Sequence, residues 1–147
     1  MITLARERGF AVMAHANGDT AVCAALDAGA DSIEHGAYLS RDTLRRLAAS
    51  ETVWVPTLST IADLIGCGRY PDEILHRLLA GQQEAVVFAA AQGAAIGCGS
   101  DAGAYRVFHG KGTQDEHALL AEALGERAPQ LLAYAQGQIE RKFRFYG

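Results

Sequence analysis

Four polar residues stand at comparable points in this sequence, each closing a short apolar run. They are His15 in AHANG, His35 in SIEHG, Thr57 in VPTL and Asp101 in GCGSDAG. Two imidazoles and a carboxylate converging from separate strands suit zinc or another borderline divalent ion, with positions left for water or substrate. Such an ion lowers the pKa of bound water towards ~7, and a neighbouring carboxylate takes the proton. A single histidine ending an apolar strand is more often a hydrogen-bonded structural residue, and an aspartate there is often only a cap or turn former. Three such residues in three comparable places shift the balance towards a metal site of His15, His35 and Asp101.

The elements that must position these residues are short. Phe10 to His15 predicts a first strand, followed by a helix from about Asp19 to Ala28 that Gly29 closes. Asp31 to His35 predicts the second strand, and Ser40 suits the N-cap of a helix carrying Leu44, Leu47 and Ala48 on one face. Thr52 to Thr57 is the third, with Pro56 near its end, where a missing ladder donor is tolerated. A long helix is expected from Pro71 to about Gln92, a fourth strand over Ala94 to Asp101, and helices over Gln114–Leu124 and Ala128–Phe143. Strands alternating with helices, without hairpin signals, mean right-handed βαβ units and a parallel sheet. Active sites in such sheets lie at the C-terminal strand edge, where all four polar residues fall. Residues Ile2 to Arg8 resemble the last turns of a helix capped by Gly9, with no strand before it, so the chain reads as starting in mid-fold.

Composition narrows the function classes. Of 147 residues half are hydrophobic and a fifth charged, which supports one folded unit over residues 1–147. The net charge of −4 argues against nucleic-acid and anionic-membrane partners, which require clustered positive charge. The basic cluster Arg141, Lys142 and Arg144 is better read as the solvated end of a last helix. Cys23, Cys67 and Cys98 are widely spaced and include no CxxC pair, so reduced thiols in a cytoplasmic protein are expected. The segment His109-Gly110-Lys111-Gly112-Thr113 fails the phosphate-loop pattern. His76 and His117 fall within helices as ordinary surface residues, and Cys98 as a small core residue. Glu34, alternating with His35, is expected to face the helix layer. Tyr105 and Arg106 are either contacts for a substrate carboxylate, Arg being its natural bidentate partner, or plain loop residues.

The motifs AHANG, SIEHG, VPTL and GCGSDAG, in this order with helices between them, resemble the C-terminal half of the amidohydrolase superfamily, in its imidazolonepropionase-like and Xaa-Pro-dipeptidase-like branch. The resemblance covers nearly the whole chain. It implies the C-terminal half of a TIM-like (β/α)8 metal-dependent hydrolase barrel, with four parallel strands and outer helices. It implies that His15 and His35 bind metal, most simply zinc, and that Asp101 both binds metal and shuttles the proton. His109 with Gly110 resembles the HG on a loop bordering the substrate after strand eight. The implied reaction is hydrolysis of an amide, peptide or cyclic amide C–N bond in a small molecule. Members also carry an HxH pair on strand one and, in dinuclear branches, a modified lysine on strand four. This sequence has no HxH, and its four expected strands leave strands one to four of such a barrel unaccounted for. The chain by itself is therefore expected to lack a complete active site, with one or two metals left open. Two readings follow: part of a metal-dependent amidohydrolase whose N-terminal half-barrel is missing or comes from a partner, or a non-catalytic half-barrel with vestigial ligands. An open sheet with a bare edge and an uncovered inner wall is expected to self-associate, giving a homo-oligomer.

Overall fold

The structure is a computed structural model and describes residues 1–144; the last three residues of the expected single unit lie outside it. Helix α1 (Ile2–Glu7) leads into strand β1 (Met13–Ala16), α2 (Gly18–Asp27), β2 (Ser32–His35), α3 (Arg41–Ala48) and β3 (Val53–Val55). The short α4 (Ser59–Ala62), the long α5 (Asp72–Ala91), β4 (Ala95–Ile96), α6 (Lys111–Leu124) and α7 (Ala128–Lys142) follow. The four strands form one parallel sheet in the order β1-β2-β3-β4. Sequence order is thus spatial order, as successive right-handed crossovers produce.

Element types match the sequence reading, but the strands are shorter than expected. β1 loses its first three residues and β4 keeps only Ala95 and Ile96; beyond them the Gly97 N–H still donates to the Trp54 carbonyl at 2.7 Å, and Gly97 and Gly99 pack closely against Val53 and Val55. Ser40 caps α3 as expected, its Oγ accepting the Thr43 N–H at 3.3 Å. Pro71 precedes α5 and Gly9 adopts φ +80° behind α1. α4 was not expected, being a single turn without an apolar period.

One face of the sheet carries the main core. Ala16, Ile33, Trp54 and Ile96 pack there against Val22 and Ala25 of α2, Leu44 and Leu47 of α3, Val86 and Ala89 of α5, and Leu120 of α6. These four helices satisfy the expectation of outer helices. α7 corrects it. Ala128 joins the main core, but further along the helix Ala135 and Ile139 pack on Val53 and Val55, which alternate with Trp54 and so point from the opposite face. α7 therefore covers the second face over β3 and β4, in place of the uncovered inner wall expected there. Over β1 that face stays open, with Met13 56 % exposed. Among the described residues no helix is long and apolar enough to cross a membrane.

The ends of the chain are tied together beneath the sheet. Asp31, 6 % exposed at the entry to β2, accepts from Arg6 at 2.7 Å and from the Val12 N–H at 3.0 Å, and lies 3.5 Å from the Lys142 ammonium. One carboxylate thus joins α1, the approach to β1 and the end of α7. This gives the basic C-terminal residue Lys142 a structural partner that the sequence did not show.

Candidate active site

The sheet delivers two imidazoles to contact. His15 in β1 and His35 at the end of β2 lie on neighbouring strands, and His35 Nε2 is 2.9 Å from His15 Nδ1, with ring centroids 4.1 Å apart. The other His35 ring nitrogen, Nδ1, is 2.8 Å from Thr57 Oγ1. His15, His35 and Thr57 therefore form one chain of hydrogen bonds across the C-terminal ends of β1, β2 and β3. The link between the two imidazoles holds a single proton, so at least one facing nitrogen keeps a lone pair. Burial lowers the His35 pKa, the neighbouring His15 lowers it further, and Asp101 opposes both. His35 is thus biased towards the neutral ring, the form that binds metal.

Backbone strain gathers at these strand ends. His35 (φ +68°), Thr57 (φ +51°) and Asp101 (φ +56°) all adopt left-handed conformations that non-glycine residues seldom visit. Such conformations cost of order 1–3 kcal/mol each and persist where surrounding structure enforces them, often at functional sites. His35 turns the chain out of β2 at its last residue, whereas Thr57 and Asp101 lie on the loops beyond β3 and β4, two and five residues past the strand ends; Asp101 thus does not end the fourth strand as expected.

Asp101 is exposed and close enough to influence His35 and Glu34 electrostatically. Its backbone is set from below. Glu116 of α6, fully buried, accepts the Ser59 N–H at 2.7 Å at the start of α4, and Ser59 Oγ donates to the Ser100 carbonyl at 3.1 Å. Nothing in the sequence marked Glu116, which follows Asp115 on a helix with no motif around it. Burial raises its pKa, against the lowering effect of backbone and hydroxyl donors at Leu58 and Ser59, and its Oε1 has no partner among the described residues. A carboxyl held above its ordinary value favours the fold at low pH and loses that contribution as pH rises through the raised value. Glu116→Gln is therefore expected to flatten stability above the ordinary carboxylate range of about 4. It should match or exceed wild type by about 1 kcal/mol at neutral pH. Urea melts of both proteins at several pH values check this, and a variant as pH-dependent as wild type would refute it.

Glu34 corrects the sequence reading. It pairs in register with His15 on one side and Val55 on the other, and so shares their face rather than the helix layer. Its Oε1 accepts from Ser32 Oγ at 2.6 Å, burial raises its pKa against that bond, and it senses both His15 and Asp101. A third ionisable side chain thus adjoins the site. The period-two alternation would have placed it correctly had the left-handed turn at His35 been foreseen.

The loop residues are not drawn in. Tyr105 is 58 % exposed under the Arg69 guanidinium, and Arg106 donates to the Asp63 carbonyl at 3.1 Å. His109 is exposed, and among the described residues none of the three hydrogen-bonds to His15, His35 or Asp101. Cys98 is exposed rather than the core residue expected.

The donor set suits a divalent ion only in part. The facing imidazole nitrogens, 2.9 Å apart, are near the separation of about 3.3 Å that two nitrogens take around tetrahedral zinc. Yet among the described residues no three His, Cys, Asp or Glu side chains converge closely enough to hold an ion. The chain thus supplies a pair of nitrogen donors with two carboxylates nearby, and remaining ligands would have to come from elsewhere or from rearrangement.

No family model matches the chain. It is 34% identical over 140 residues to uncharacterized proteins of Mycobacterium bovis and Mycobacterium tuberculosis, an alignment covering 91% of this chain and 37% of theirs. Its fold superposes on a Xaa-Pro dipeptidase with methionine bound in the active site, with TM-score 0.75, 24% identity, and 96% of this chain and 36% of that one covered. An amidohydrolase (TM-score 0.72, 24% identity) and the ochratoxinase of A. niger (TM-score 0.72, 22% identity) match 96% and 93% of this chain over 35% and 33% of theirs. The chain spans little more than a third of the curated relatives it matches. Over nearly all its length, then, it has the fold of about a third of an amidohydrolase or prolidase chain, and resembles a partial barrel of that kind.

Proposed function

We propose that this chain is the metal-binding, C-terminal portion of a metal-dependent amidohydrolase that cleaves an amide, dipeptide or cyclic amide C–N bond. The observation that carries the reading is the His15–His35 contact, two imidazoles offered at the open end of a parallel sheet. A bound divalent ion, zinc by the chemistry of its nitrogen donors, would supply Lewis acidity and an acidified water. His15 and His35 would hold it, and the Thr57 hydroxyl fixes the orientation of the His35 ring. Asp101 stands at the exposed rim without a side-chain hydrogen-bond partner among the described residues, free to accept a proton at its carboxylate and return it to a leaving amine. Tyr105, Arg106 and His109, on the loop after Asp101, would face the substrate only if that loop closes.

A second reading, a non-catalytic half-barrel that pairs with a copy of itself, is favoured by the open face at β1, where Met13 is exposed. One experiment on purified protein separates the two. Zinc titration is expected to show binding that His15→Ala and His35→Ala each weaken more than tenfold. Sedimentation of the same samples reads the oligomeric state. Equal affinity in wild type and both variants, in a stable dimer, would remove the metal reading and leave the second.

A further inference from the structure

We infer that Gln82 and Trp54 are positioning residues for the His35 imidazole, acting through its backbone carbonyl. The inference concerns the site of the proposed function and rests on that reading only for its zinc arm. At His35 (φ +68°) and Gly36 (φ +58°) the chain leaves β2 through two successive left-handed residues. This turn takes the His35 carbonyl out of the sheet ladder, and a buried ladder acceptor that leaves its strand must find donors elsewhere. It finds two. Trp54 Nε1 donates at 2.9 Å and Gln82 Nε2 at 3.2 Å. Trp54 is 0 % and Gln82 7 % exposed, so water does not compete freely for either bond.

The arrangement is specific. A carbonyl oxygen has two lone pairs, and here each meets a side-chain donor from an element remote in sequence, β3 for one and α5 for the other. Gly36 is required beneath the indole, since a Cβ there would stand 2.5 Å from Trp54 Nε1. The Gly36 N–H is itself bonded to the carbonyls of Ala16 and Glu34, which fixes the other side of the same peptide. With both its carbonyl and the following N–H held, the His35 peptide cannot rotate, and the ring above it stays directed at Thr57 Oγ1 and His15 Nδ1. Gln82 is a polar residue on the buried side of a helix whose neighbours there are Leu75, Val86 and Ala89. Its burial is explained by this one bond.

The test is imidazole nitrogen NMR on the metal-free full chain at fixed pH, comparing wild type, Gln82→Leu and Trp54→Phe, with Leu79→Ala on the same helix as a packing control. Loss of either donor is expected to shift or broaden the His35 ring nitrogens as the bonds to Thr57 and His15 loosen. Leu79→Ala should lower the melting temperature and leave those signals in place. Zinc affinity is expected to fall about tenfold in Gln82→Leu and to stay near wild type in the control. If Gln82→Leu does not fold, Gln82→Met, of similar length and without the amide, takes its place. Wild-type ring signals in the Gln82 variant, or equal changes in Leu79→Ala, would overturn the inference. A wild type that binds no zinc while the ring signals still respond to Gln82 would defeat the metal reading and uphold the positioning role.

Discussion

Gly36→Ala is expected to destabilise the chain by about 3 kcal/mol or more, the sum of a left-handed penalty of about 1–2 kcal/mol and an overpacking term of about 1–3 kcal/mol. Both contributions come from the same atom. The backbone at Gly36 has φ +58°, where a Cβ is strained whatever the space, and that Cβ would meet the fully buried Trp54 ring at 2.5 Å. The indole cannot swing aside, because it lies in the main core and its N–H is committed to the His35 carbonyl. Urea denaturation should show a lower midpoint with an unchanged slope. A loss below about 1 kcal/mol would mean that the loop relaxes around the methyl group and that the turn is less constrained than its contacts indicate. The same variant should weaken zinc binding, since the turn that suffers is the one that aims His35.

Asp31→Ala is expected to cost about 1–3 kcal/mol, the scale for leaving a hydrogen-bond donor without its acceptor. The Val12 N–H and the Lys142 ammonium would lose an acceptor, and Arg6, nearly half exposed, would turn to water. The pH dependence has a defined sign. Burial acts to raise the Asp31 pKa, but the Val12 N–H, the Arg6 hydrogen bond and the charges of Arg6 and Lys142 outweigh it and hold the carboxyl below its ordinary value. A depressed carboxyl contributes stability in full above its unfolded value and loses it as pH falls through the folded value. Wild type should therefore lose stability below about pH 4 faster than Asp31→Ala, the two melts drawing together in acid. Parallel curves at every pH would show that the carboxylate is not held as the structure indicates. Glu116 works in the opposite sense, so Glu116→Gln and Asp31→Ala should alter opposite limbs of the stability–pH curve.

The sequence by itself determined the α/β alternation, the parallel order of the strands, the cap at Ser40, the start of a long helix at about Pro71, and the placing of His15 and His35 at the ends of neighbouring strands; Asp101, expected to end the fourth strand, lies on the loop beyond it. These are local matters. Apolar runs of strand length, helix-start residues and glycines after helices act within a few residues, and the crossover rule then leaves little choice of topology. The motifs also carried the likeness to amidohydrolases, which the superpositions uphold for the fold. Only the tertiary structure decided the rest. Glu34 lies on the face that its register with His15 and Val55 gives it; its side was misread because His35 leaves the strand through a left-handed turn, whose carbonyl is bonded by Trp54 and Gln82, 19 and 47 residues further on. The path of α7 depended on Val53 and Val55 needing cover, a demand that an amphipathic helix meets equally well from either side in a period count. Glu116 and Asp31 became visible only when burial brought their partners to them from distant segments. Periodicity reports which residues share a face; which face meets which neighbour is set by long-range packing, where the free energy of burial is gained.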